Sequence, residues 1–147
     1  MKVTNLKLLA SSDKDLRVIA AYLQDSIVSP KDVANLKKNR IFLIQLNRFM
    51  WEDVEKGVFR KNKRIRTVLK FDNVISVLSK NINIKNNKQF LDFLTVESNT
   101  LPDKTYEIKL IFSGDVVIKV KAEVIDVTLD DQGSPWESKT APKHNFL

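Results

Sequence analysis

Six consecutive residues, Asn47-Arg48-Phe49-Met50-Trp51-Glu52, put two large aromatic rings beside an arginine. Arg64 and Arg66 follow on a segment of strand-like alternation. Aromatic rings stack on nucleobases, and the planar guanidinium fork grips phosphate or carboxylate at two points. These residue types suit RNA recognition, with Phe49 and Trp51 as a stacking platform and Arg64 and Arg66 on the phosphates. The same aromatics can instead anchor a strand end in a core, which is the favoured reading of this word. Charges on one strand face can equally serve to keep a sheet edge from aggregating. The candidate binding residues are Arg48, Trp51, Lys61, Arg64 and Arg66.

Charge distribution draws attention to the same window. Leu36 to Lys70 holds eleven basic residues against three acids, so this stretch alone exceeds the net charge of +7 carried by the whole chain. Such clustering is what an anion or nucleic-acid surface requires. Compositional drift explains it as well, because lysine, asparagine and isoleucine together are what an AT-rich genome tends to encode.

Other chemistry is restricted by what is missing. The chain has no cysteine, and its one histidine, His144, lies close to the C-terminus. Zinc sites of the His/Cys kind, Cys–His dyads and Ser–His–Asp triads are therefore unavailable unless the tail folds back. Three glycines, at 57, 114 and 133, cannot build a phosphate loop or a dinucleotide fingerprint. The densest acids, Asp126 with Asp130 and Asp131, read as a solvated turn rather than a hard-ion site. Asp25, Asp72, Asp92 or Glu97 could supply a carboxylate pair for acid–base work, but spacing brings no two of them together. No catalytic residue, metal or cofactor is expected, and the balance leans away from an enzyme.

The elements that must position these residues are mostly strands. Leu6, Leu8 and Ala10 alternate as a half-buried strand. Ser12 and Asp15 then form a capping pair, and Leu16, Ile19, Ala20 and Leu23 make the apolar stripe of a helix ending near Asp25. Ile27 to Leu36 and Arg40 to Phe49 read as a hairpin, with Asn39 in the left-handed position. Ile41 to Ile44 is apolar on both faces, as in a central strand. In Lys63 to Ser79, Ile65, Thr67, Leu69, Phe71, Ile75 and Val77 share a parity, and a bend near Asp72-Asn73 would let one strand serve two pairings. Asn81 to Lys88 is a polar loop. Strands follow over Gln89 to Glu97, Tyr106 to Phe112 and Val116 to Ala122, the last two joined by a turn at Ser113-Gly114-Asp115. Beyond Val124 the apolar parity switches, which implies a bulged strand or a short helix over residues 123–131.

Short connections between strands imply antiparallel pairing, since parallel crossovers need a dozen or more residues. The expected fold is α+β and mainly β: a curved antiparallel sheet or partly open barrel of about seven strands with one N-terminal helix. A pleckstrin-like arrangement is one candidate. One domain over residues 1–133 and an extended tail over 134–147 are expected, with Trp136 pinning the tail. No apolar run approaches membrane length, and the N-terminus lacks a signal-peptide core, so the expected address is the cytoplasm.

Several short words recur here in a familiar order: Leu23-Gln24-Asp25, Leu46-Asn47-Arg48-Phe49 with Trp51-Glu52, and Leu69-Lys70-Phe71-Asp72 with Val74. Leu94 to Val96, Gly133 with Pro135-Trp136, and Pro142 with His144 complete the series. From about Leu6 to His144 the chain resembles a family of small, mainly alphaproteobacterial proteins known as a domain of unknown function. The resemblance implies a single cytosolic domain and no stated activity. Against a lysine-biased background, Arg48, Arg64 and Arg66 stand out because they remain arginine. The leading expectation is a non-enzymatic binding or adaptor domain that recognises a protein partner or a second copy of itself. A basic RNA- or ribosome-associated protein is the alternative, and a carboxylate-based enzyme comes third.

Overall fold

The computed structural model describes residues 5–52, 63–82 and 89–137. Its elements are β1 (Lys7–Ala10), α1 (Asp13–Leu23), β2 (Ile27–Val28), β3 (Val33–Leu36), β4 (Ile41–Phe49), β5 (Lys63–Phe71), β6 (Val74–Lys80), β7 (Leu91–Thr100), β8 (Tyr106–Phe112), β9 (Val116–Ala122) and β10 (Val127–Glu137). All described strand pairs are antiparallel. The mainly-β class with one helix is as expected. The strand count is higher, because β1, β2 and β3 are too short to impose a clear period and the long 63–80 pattern divides into β5 and β6.

Strand order shows how the sheet curls. The path runs β1-β10-β5-β4-β2-β7-β8-β9-β6, with β3 attached to β4 off that path. β5 and β6 stand far apart in this order, yet only Asp72 and Asn73 separate them along the chain. The far end of the sheet must therefore return beside β5. Asn73 makes the bend with a positive φ of 58°, and the Val74 N–H donates to the Arg40 carbonyl at 2.9 Å where β6 returns against the turn entering β4. The expected bend and its double pairing are both present: β5 lies between β4 and β10, while β6 pairs with β9.

The inside of the curl is the core. Phe42, Ile44 and Leu46 on β4 face it, with Leu69 and Phe71 on β5 and Val127 and Leu129 on β10. Phe93 and Phe112 meet edge to face at 5.7 Å across β7 and β8. Each such buried side chain contributes roughly 1.5–3 kcal/mol relative to exposure. β4 is central as expected: β5 pairs along one side, and β2 and β3 share the other.

The helix closes over β7, β1 and β4. Ser12 Oγ accepts the Asp15 N–H at 3.1 Å, and the Asp15 carboxylate takes the Ser11 N–H at 3.0 Å, so the expected capping pair forms. Leu16, Ile19 and Leu23 are the buried stripe. The Ser98 hydroxyl on β7 donates to Asp13, and this bond leads Arg17 in holding the Asp13 carboxyl below its usual pKa.

Two local expectations need correction. The left-handed residue of the β3–β4 hairpin is Arg40 (φ 57°), not Asn39, because Lys37–Asn39 coils into a 3₁₀ turn that closes one residue later. Ile75 does not keep the buried parity of β5. A register shift between Val74 and Ser76 turns Val74 inward and leaves Ile75 46% exposed. Of the two forms left open for residues 123–131, strand is found over 127–131. β10 runs on to Glu137, with Trp136 opposite Arg64 and Glu137 opposite Lys63. The tail beyond 137 lies outside the described residues, as does His144.

Candidate functional site

Arg48 continues the inward-facing row Phe42, Ile44, Leu46 and is fully buried. From β4 its side chain reaches past β5 to Asp131, which ends the inward row Val127, Leu129 of β10. Nε donates to Asp131 Oδ1 at 2.8 Å and Nη2 to Oδ2 at 2.7 Å. Glu52 takes a second fork: Nη1 to Oε1 at 2.9 Å and Nη2 to Oε2 at 2.8 Å. The Tyr22 ring of α1 lies 5.8 Å from the guanidinium carbon, in cation–π range. Burial alone would weaken the charged form, but the hydrogen bonds from Asp131 and Glu52 outweigh it and raise the pKa of Arg48. Asp131 also accepts the Leu6 N–H at 2.9 Å, while its own N–H donates to the Leu6 carbonyl at 2.9 Å. One arginine thus ties β4, β10, α1 and the segment entering β1.

Arg64 sits on the opposite face, across from Phe49. Nη1 donates to the carbonyls of Asp25 at 3.2 Å and Asn47 at 3.1 Å, and its guanidinium carbon is 5.8 Å from the Phe49 ring centre. Burial lowers the pKa of Arg64, partly offset by the charges of Asp25 and Asp92. Two of the four carboxylates considered for acid–base work therefore gather around an arginine. Trp51 packs on Phe49 with ring centres 4.7 Å apart and donates its indole N–H to the Gln24 carbonyl at 2.8 Å.

Of the five expected binding residues, Arg48 and Arg64 are buried and bound to protein groups, and Trp51 is half-buried as an anchor. Arg66 is exposed, in a shallow cavity of about 310 Å³ with Gln132, Gly133, Ser134 and the half-exposed Trp136. Lys61 lies outside the described residues. A continuous basic face shared by Arg48, Lys61, Arg64 and Arg66 is not assembled among the described residues. The acids at 126–131 separate likewise: Asp131 turns inward to Arg48, and Asp126 accepts from the Asn73 side chain. Among the described residues no group of three or more His, Cys, Asp or Glu side chains could hold a metal ion.

A larger groove lies elsewhere, where the curl fails to close. A groove of about 710 Å³ runs between β3 and β6, lined by Asn35, Lys37 and Arg40 on one wall and Val74 to Leu78 with Glu123 on the other. Its one carboxylate, Glu123, is engaged with Arg40 at 2.6 Å. Among the described residues β3 pairs only with β4 and β6 only with β9, so each presents an unpaired backbone edge to this seam. Leu36 (43% exposed), Ile75 (46%) and Leu78 (68%) lie on those two edge strands. Sequence reasoning missed them: Ile75 was assigned to the core, and no local signal marks which strands end a sheet.

Among the described residues no helix is long and apolar enough to cross a membrane. No curated protein matches the chain, and no solved structure does either. A family model described as "Protein of unknown function (DUF2948)" matches residues 6–144. That span includes α1, the two arginine centres and both edges of the seam, and the chain belongs to this family, DUF2948.

Proposed function

We propose that this protein is a non-enzymatic binding module that recognises a protein partner through the seam between β3 and β6. The observation that carries this reading is the pairing of an unoccupied strand edge with exposed apolar side chains. Single exposed apolar residues are ordinary on protein surfaces. On an open edge they are a liability, and soluble proteins normally blunt such edges with charge or cover them. Leu78 and Ile75 remain uncovered on the longest edge strand, beside a groove of ligand size. Both buried arginines are structural in this reading, holding the strand ends and helix that frame the curl.

A photoreactive amino acid placed at Leu78, with Leu94 on β7 as the control position, tests the proposal. Crosslinks formed from position 78 and absent from position 94, to a protein that rebinds in purified form, are the expected result. Equal crosslinking from both positions, or crosslinks to nucleic acid alone, would overturn it.

A second reading, RNA association, is favoured by one observation: exposed Arg66 beside the half-exposed ring of Trp136. A guanidinium and a ring on one surface can take a phosphate and a stacked base. Gel-shift titration with single-stranded RNA tests it, and unchanged affinity in Arg66→Gln would remove that placement.

A further inference from the structure

Resting on the protein-partner reading above, we infer that the seam takes its partner as an extended acidic segment, added to the free edge of β6 as a further strand. Three features of the seam point there. The first is backbone. β6 offers seven residues of strand, and beyond Val74, whose N–H donates to the Arg40 carbonyl and whose carbonyl accepts from Arg40 Nε, its outer edge makes no hydrogen bond among the described residues. Strand addition supplies main-chain hydrogen bonds for affinity, and side-chain pockets at alternate positions for specificity. A groove opening directly against that edge provides the space.

The second feature is charge. Lys37 lines the groove, Lys38 follows it, Lys80 ends β6, and Lys119 stands opposite Leu78 on β9. All four are exposed, and none forms an ion pair among the described residues. Glu123, the carboxylate lining the groove, is already occupied by Arg40. Lys37, Lys38 and Lys80 thus border the seam with positive charge, and Lys119 adds to it from across β6, which attracts acidic segments and speeds their approach.

The third feature is what that charge rejects. Pairing β6 with β6 of a second copy would bring two positively charged borders together, and such like-charge juxtaposition opposes association. The register shift at Val74/Ser76 further disfavours a flat edge-to-edge match. In an added strand, acidic side chains on the outer face would meet Lys80 and Lys119 beside Leu78, and the apolar ones would lie on the other face with Val77.

The test uses the full chain and a fluorescent peptide of alternating valine and glutamate, roughly eight residues long to match an edge strand. Two companions complete the set: the same peptide with alternate backbone nitrogens methylated, and a valine–lysine version. The expected result is saturable binding of the valine–glutamate peptide alone, with slowed hydrogen exchange at the amides of Ile75–Lys80. High salt should weaken it about tenfold by screening exposed charges. Lys80→Glu, at a position that is already exposed, should keep the native melting profile and weaken binding about tenfold by setting like charge against the acidic side chains. Equal binding of the valine–lysine or methylated peptide would overturn the proposal. So would protection confined to another edge, such as β1, or no binding by any peptide. If peptides fail while the crosslink from position 78 persists, strand addition is wrong and the partner reading stands. If both fail, neither survives.

Discussion

Arg48 and Asp131 are joined across an intervening strand by two charge-assisted hydrogen bonds of 2.8 and 2.7 Å, with both side chains essentially sealed from solvent. β4 and β10 are not neighbours; β5 lies between them. The long arginine side chain therefore spans the inner face of three strands, at a depth where neighbouring rows are Leu, Ile and Phe. A buried charge is tolerated there because four of the five guanidinium N–H groups find carboxylate oxygens.

Arg48→Ala leaves Asp131 and Glu52 facing each other without their shared cation, and should cost about 3–5 kcal/mol. Glu52→Gln keeps the Asp131 fork at a partly exposed partner and should cost about 1–2 kcal/mol. Urea unfolding followed by tryptophan fluorescence measures both, and equal costs would show that the centre depends on Glu52 as much as on Arg48 itself.

Trp51 should behave as an anchor. Trp51→Phe keeps an aromatic ring against Phe49 but leaves the Gln24 carbonyl without its indole donor. The expected loss is about 1 kcal/mol. A midpoint identical to that of the parent chain would show that the indole hydrogen bond contributes nothing.

The two arginines of β5 should separate cleanly. Arg64→Gln withdraws a donor from the Asp25 and Asn47 carbonyls and a cation from the Phe49 ring, at about 1–3 kcal/mol. Arg66→Gln, at an exposed position, should stay within about 0.5 kcal/mol. Only Arg66→Gln can report on RNA. If that reading holds, it lowers affinity and reduces the slope of log affinity against log salt by about one. Thermal denaturation alongside salt-dependent gel shifts distinguishes the two roles.

Acid titration should single out Asp103. The hydroxyl and then the backbone N–H of Thr105, with Lys121, lower its pKa to about 2 from the ordinary 3.8. A carboxyl whose folded pKa is depressed adds stability that is complete above its unfolded value and lost as pH falls through the folded one. The contribution should therefore fade between about pH 4 and pH 2. Carbon-detected NMR of the carboxyl group should find its midpoint near 2, and Thr105→Val should move it upward toward 3.8. An unmoved midpoint would assign the shift to the backbone N–H of residue 105 and to Lys121 instead.

Local alternation and capping were legible because they are properties of a few adjacent residues. The Ser12–Asp15 cap, the Leu16–Ile19–Leu23 stripe, the alternation of β8 and β9 and the bend at Asp72-Asn73 all follow from periods of 3.6 or 2 and from turn chemistry. Even the depth of Arg48 was written in its row, since Phe42, Ile44 and Leu46 share its parity. Parity cannot say whether an arginine at such a place has a partner, and the partner here lies 83 residues away.

What the chain determined by itself is an antiparallel, mainly-β domain with a capped helix, without the histidines, cysteines and glycines that several catalytic sites need. Tertiary structure alone decided which strands finish as edges, because an edge is defined by the absence of a neighbour and leaves no mark in local spacing. It likewise decided which arginines are committed. Three similar words, Arg48, Arg64 and Arg66, became two internal ties and one exposed cation, because only the assembled sheet brings Asp131, Glu52 and the carbonyls of Asp25 and Asn47 within hydrogen-bonding reach.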